Sequence, residues 1–441
     1  MSILFRNATI LTMNDALDVV EGSVAVVGGR IVGVGAEPAG AFDRTIDAHG
    51  AYLLPGFIQT HVHLCQTLFR SYADDMPLLD WLRRRVWPME AAHTPATLRA
   101  ATRLAAAELL LSGTTTALTM ETVHDTDVVF DTLAAVGLRA TVGKCMMDVA
   151  GDAPPRLKER TRDSIDESLA LRKRWDGMAN GRLRAAFAPR FAVSCSRDLL
   201  EGVAALSHDH RALVHTHASE SRDEVEVVRR LSGGLSNLEY LAATGLATER
   251  LCAAHCVWVS DEEQSLLAER DVKVMHCPGS NLKLGSGIAP VVDMRRRGIS
   301  VSLGADGAAC NNRLDMFDEM RLAAVLQAVR GAPGALTARD ALWMATREGA
   351  RALGLDAEIG SIEAGKRADL ILVRRDAVHL APDADAWSTL VYAARGTDVL
   401  VTMVDGEVLV EDGRLSRIDR AEIAAEAAAA ARKLATAAGV V

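Results

Sequence analysis

The sequence has no CxxC pair, no run of about 20 apolar residues and no dense stripe of Lys and Arg, and each absence removes a class of function. The seven cysteines (Cys65, Cys145, Cys195, Cys252, Cys256, Cys277 and Cys310) are odd in number and scattered. They fit reduced thiols rather than a disulfide framework and point to the cytoplasm. The N-terminal stretch MSILFRNATILTMNDALDVV has no basic segment leading into an apolar one, so neither secretion nor membrane insertion is expected. A net charge of −9 would repel a phosphate backbone over most of the surface, which argues against a nucleic-acid partner. No repeat at solenoid periods is found.

What is present is a globular composition, 49% hydrophobic and 24% charged, with enough apolar surface for a sizeable core. Residues 1–55 read as short strands cut by Gly-Gly turns. From 56 to 355, apolar runs such as TTTALTM, LRAAFAP, LCAAHCV and ISVSLGADG alternate with helical stretches such as PATLRAATRLAAAELLLSG. Near-continuous apolar strands with helices between them predict a parallel sheet, and seven or eight such units predict a (β/α)8 TIM-like barrel. Strand-and-turn texture returns over 356–418. The expected architecture is therefore an α/β chain whose barrel is inserted into a small β-sandwich domain formed by both chain ends. The Ala-rich stretch 419–441 predicts a C-terminal helix packed on the exterior.

In such a barrel, residues at the C-terminal ends of the strands converge on one mouth. Five run ends carry imidazoles or carboxylates. They are His61 and His63 in PGFIQTHVH, His215 and His217 with Glu220 in ALVHTHASE, His255 in CAAHCV, His276 in VMHCPGSN, and Asp306 in VSLGADGAACNN. An HxH in an extended strand sends both rings to one side. Each feature alone is ordinary, since a strand-end His is commonly a hydrogen-bonded structural residue and an Asp before Gly a turn residue. Together they suit a single cation. Imidazoles and a carboxylate without thiolates suit Zn2+ or Fe2+, and one open position supplies a water acidic enough to act at neutral pH, which points to hydrolysis.

The ordered set PGFIQTHVH, HTHASE, AAHCVW, HCPGSNLKLGSGIAP and LGADGAACNNRLDMFDEMRLA, with RSYADDMPLLDWL, WPMEA and the C-terminal EIGSIEAGKRADLILV, resembles the amidohydrolase superfamily over nearly the whole chain. Within it the chain is similar to the 5-methylthioadenosine/S-adenosylhomocysteine deaminases, which are related to guanine deaminases and triazine hydrolases. The resemblance implies one divalent metal ion per chain, Zn2+ with Fe2+ or Mn2+ as alternatives, held by His61, His63, His217 and Asp306. It implies that Glu220 shuttles protons, His255 orients the attacking water and Asp306 shares in the proton transfers, leaving His215 and His276 outside the inner shell. No Lys is placed to bridge a second metal.

The implied substrate is a small molecule, the 6-amino group of an adenosine derivative such as 5′-methylthioadenosine, S-adenosylhomocysteine or 5′-deoxyadenosine. Glu90 matches the residue that holds the ribose hydroxyls, and Lys144 and Arg156 match those that bind the tail of the 5′ substituent. Two residues depart from that pattern. Arg190 stands where these deaminases usually show His, and Gln66 follows the HxH pair; both resemble guanine deaminase, in which Gln and Arg read the purine edge. A guanine-type deaminase or a triazine hydrolase is therefore the alternative, and a metal-free ligand-binding relative is argued against by the intact residue set. The sequence leaves a homo-oligomer open.

Overall fold

The structure, a computed structural model, describes residues 1–149 and 151–440; Val441, the end of the expected C-terminal helix, lies outside them. Eight stretches of parallel strand follow the chain: Phe57–His63, Thr114–Met120, Arg139–Met146, Leu183–Pro189, Val214–Ala218, Leu251–His255, Lys273–His276 and Val301–Leu303. Each pairs with the next. The last continues, after Gly304 and Ala305, into Asp306–Gly307, which pairs in parallel with Phe57–His63. One edge of the curled sheet thus meets the other, as in a TIM-like barrel. Gly304 makes that meeting sterically possible, since a Cβ there would lie 2.6 Å from the backbone oxygen of His61.

The strands are buried along almost their whole length because helices cover the sheet outside. Pro95–Leu111 is one of them. It starts at a Thr94 capping box with Pro at its first position, and turns Leu98, Ala101, Ala105 and Leu109 inward.

Both chain ends enter a second sheet of nine strands. Tyr52–Pro55, immediately before the first barrel strand, lies antiparallel to Leu370–Val373, so the ends are stitched together beneath the barrel's entry point. Arg139 and Asp369, both buried, form a two-bonded ion pair that ties the third barrel strand to this sheet. The C-terminal helix Arg420–Ala437 starts at an Asp419 cap and buries Ile423, Ala427, Leu434 and Ala435, while Arg103 pairs with Glu422 and Glu426. All seven cysteines are buried and free. Among the described residues, no helix is long and apolar enough to cross a membrane.

Candidate active site

His61 and His63 close the first barrel strand, His217 lies on the fifth, His255 ends the sixth, and Asp306 continues the eighth. Their side chains meet at the mouth. One ligand atom from each of His61, His63, His217 and Asp306 lies within 4.8 Å of all the others. Nε2 of His63 is 3.1 Å from Nε2 of His217, and Oδ1 of Asp306 is 3.3 Å from Nε2 of both His61 and His63. Tetrahedral ligands at metal bonds of about 2.0–2.1 Å stand about 3.3 Å apart, so the spacing fits a zinc-sized ion.

The outward nitrogens fix which atoms face inward. Nδ1 of His63 donates to the Met120 carbonyl at 2.7 Å and Nδ1 of His217 to the Arg190 carbonyl at 2.6 Å. A carbonyl only accepts, so both protons sit on Nδ1 and both Nε2 atoms present lone pairs. Nδ1 of His61 shares a proton with Nε2 of His215 at 2.6 Å, leaving Nε2 of His61 buried beside Asp306 with no hydrogen-bond partner among the described residues. His215 thus orients a member of the cluster. His276 lies apart, with both ring nitrogens buried and without a hydrogen-bond partner among the described residues.

Burial pushes the rings of His61, His63 and His217 below the ordinary imidazole range, His63 to about 3, so they are neutral at pH 7. Glu220 moves the opposite way. Burial first, then the charges of Asp306 and Glu224, hold its carboxyl well above the usual carboxylate range. Nε2 of His255 faces both acids, 3.6 Å from Oε2 of Glu220 and 3.9 Å from Oδ2 of Asp306. Ser219, His255 and Asp306 all have left-handed backbone, with φ of 52°, 73° and 60°. Such strain in non-glycine residues is characteristic of functional sites.

A cavity of about 20 Å3 opens on this cluster, walled by Gln66 and Arg190 and roofed by Leu78, Trp81, Leu82 and Phe191. Arg190 grips Glu90 with both terminal nitrogens, at 2.5 and 3.2 Å, and Gln66 donates to the same carboxylate at 3.1 Å. Glu90 therefore stands behind the wall formed by the two residues it binds. The structure does not bring Lys144 or Arg156 to this cavity. Lys144 alternates with Cys145, whose sulfur lies 3.8 Å from Arg190, so Lys144 points outward and bonds Glu159 at 2.6 Å. Arg156 is half exposed beside Asp125. Leu78, Trp81 and Leu82 lie in RSYADDMPLLDWL and Glu90 in WPMEA, stretches that carry the resemblance, but the sequence does not show that Glu90 meets Arg190 and Gln66.

The description "Amidohydrolase family" matches residues 52–409. The chain is 42% identical to a 5′-deoxyadenosine deaminase of Methanothermobacter thermautotrophicus, covering 98% of this chain and 99% of that protein. It is 41% identical to a 5-methylthioadenosine/S-adenosylhomocysteine deaminase of Symbiobacterium thermophilum, again over 98% and 99%. Among solved structures, an adenosine deaminase from Xanthomonas campestris with bound zinc is similar at a TM-score of 0.92 and 34% identity, over 98% of both chains.

Proposed function

The chain belongs to the amidohydrolase family, and we propose that it is a metal-dependent aminohydrolase removing the 6-amino group of an adenosine derivative, such as 5′-deoxyadenosine, 5′-methylthioadenosine or S-adenosylhomocysteine. The observation that carries the reading is the pairing of four inward-facing ligand atoms with a buried carboxyl, Glu220, held above the usual carboxylate range in the same cavity wall. The deaminase names of the relatives support the substrate class.

His61, His63, His217 and Asp306 would hold one divalent ion, for which we propose zinc. When bound, it lowers the pKa of a water to about 7 and so supplies the nucleophile. Glu220 donates its proton to the ring nitrogen beside the carbon under attack. Asp306 accepts a proton from the attacking water and returns it to the amine, which leaves as ammonia while the remaining hydroxyl gives its proton back to Glu220 and the ring gains a carbonyl. His255, between the two acids, orients the water. Gln66 and Arg190 face the ring edge, and Glu90 holds them there.

A nucleoside would enter past the apolar side chains of Leu78, Trp81 and Leu82, which line the cavity. A guanine-type deaminase is the second reading, favoured by the presence of Arg190 and Gln66, rather than Glu90, in the wall. The same proposal divides the chain into a catalytic barrel over 56–355 and a small β-sandwich built from 1–55 and 356–418. The core shared by Ile3, Phe5, Leu53, Leu370 and Met403 supports the sandwich. Ammonia release across adenosine derivatives and guanine tests the reading.

A further inference from the structure

One short stretch, Pro278 to Ser286, reaches all three proton-handling groups of the site. Oγ of Ser280 donates to Oδ2 of Asp306 at 2.6 Å. Oδ1 of Asn281 lies 2.8 Å from Nδ1 of His255. Oγ of Ser286 donates to Oε1 of Glu220 at 3.4 Å. All three residues are buried and none lines the cavity.

The stretch is itself held rigidly. It begins as the helix Pro278–Lys283, and the Gly279 N–H donates to buried Glu319 at 3.0 Å, whose other oxygen accepts from Asn311 at 2.7 Å. A Cβ at Gly279 would lie 2.5 Å from Glu319 Oε1, so only glycine permits that approach. The N–H of Ser286 returns to the Asn281 carbonyl at 2.8 Å, which closes the stretch on itself.

We infer that Ser280 and Asn281, two consecutive residues, are positioning residues that set the proton arrangement of the site, with Ser286 adding a weaker contact to Glu220. This rests on the proposed roles of Asp306, His255 and Glu220. Oδ1 of Asp306 faces His61 and His63 and accepts from the Gly307 N–H at 2.8 Å. With Ser280 on the other oxygen, the carboxylate cannot rotate, and Oδ2 is kept toward His255. The Asn281 oxygen accepts only, so the His255 proton stays on Nδ1 and the bare Nε2 faces Glu220 and Asp306. The reverse amide orientation would place an NH2 against Nδ1 and drive the proton to Nε2. The Asn281 amide therefore decides which form of His255 meets the reacting groups.

The test uses zinc-loaded full-length protein with Asn281→Ala, Asn281→Asp, Ser280→Ala and Ser280→Thr. Zinc content, kcat, KM and the pH profile of kcat are measured, together with the 15N shifts of the His255 ring, assigned by difference from His255→Gln. The expected result for Asn281→Ala is full zinc, KM within about twofold, kcat lower by roughly 10–100-fold as for other residues supporting a metal site's ligands, and loss of the Nδ1–H ring signature. Asn281→Asp, which keeps the acceptor, restores the signature. Ser280→Ala lowers kcat at unchanged zinc, and Ser280→Thr restores it. Wild-type kcat and ring signals in both alanine variants, or a loss of kcat that tracks loss of zinc, overturns the inference. If wild-type protein releases no ammonia from any adenosine derivative or guanine, the proposed function fails, while the ring signals still decide the role of Asn281.

Discussion

Nε2 of His63 and Nε2 of His217 face one another at 3.1 Å, each ring having given its only proton to a backbone carbonyl on the far side. Two lone pairs at that distance repel unless a cation lies between them. Purified protein is therefore expected to hold about one divalent ion per chain, and chelation is expected to lower its melting temperature, because an ion that binds only the folded state stabilises it. His217→Ala should lose the ion and the activity together. Elemental analysis of dialysed protein checks this, and two tightly held ions per chain would count against it.

The Glu220 carboxyl is held well above the usual carboxylate range because it is buried and faces the charges of Asp306 and Glu224. An acid that must donate a proton works below its pKa, so kcat should hold from mildly acidic to neutral pH and fall as pH rises through the elevated pKa. Glu220→Gln should keep the ion and lose at least about 10²-fold in kcat. Zinc content and kcat measured on one preparation check both statements; loss of zinc would make Glu220 a ligand instead.

Glu90 and Arg190 are both buried, and among the described residues neither has another countercharge within bonding distance. Glu90→Ala leaves the guanidinium buried and alone, with an expected cost of about 3–5 kcal/mol in unfolding free energy. Glu90→Ala combined with Arg190→Met should cost less than Glu90→Ala alone, since both charges are then gone. Denaturant unfolding of the two variants checks the order.

These three groups also mark how far the sequence could be read. The strand-end residues His61, His63, His217, His255 and Asp306 were legible because a parallel barrel sends strand ends to one mouth whatever the packing detail. The Glu90–Arg190 pair was not, because its members are 100 residues apart and their meeting depends on how Trp87–Ala91 packs over the mouth. That Lys144 faces away from the cavity was not legible either, since whether it or Cys145 faces inward is set by the register of the closed sheet. Ser280 and Asn281 stood in a run that carried the family resemblance, but only the fold shows which groups they touch.

Glu121 follows the second barrel strand directly and accepts the backbone N–H groups of Leu64 at 3.4 Å and Cys65 at 3.0 Å, just after the HxH pair. Burial raises its carboxyl from the ordinary 4.5 to about 7. A raised acid stabilises the fold fully below about pH 4.5, and that contribution is lost as pH rises through 7, by at most about 3 kcal/mol. Glu121→Gln should remove this part of the pH dependence, which unfolding curves at pH 5 and pH 8 for both proteins would reveal. Parallel pH dependence in the two would contradict the assignment.

The central claim is hydrolytic removal of an amino group from an adenosine derivative, and kcat/KM for ammonia release by zinc-loaded protein tests it most directly. The measurement compares 5′-deoxyadenosine, 5′-methylthioadenosine, S-adenosylhomocysteine and guanine, with each product identified by mass. The account predicts turnover of at least one adenosine derivative to the corresponding inosine derivative, with one equivalent of ammonia and with kcat/KM well above that for guanine. Preferred turnover of guanine, or adenosine derivatives recovered unchanged from zinc-loaded protein, would contradict it.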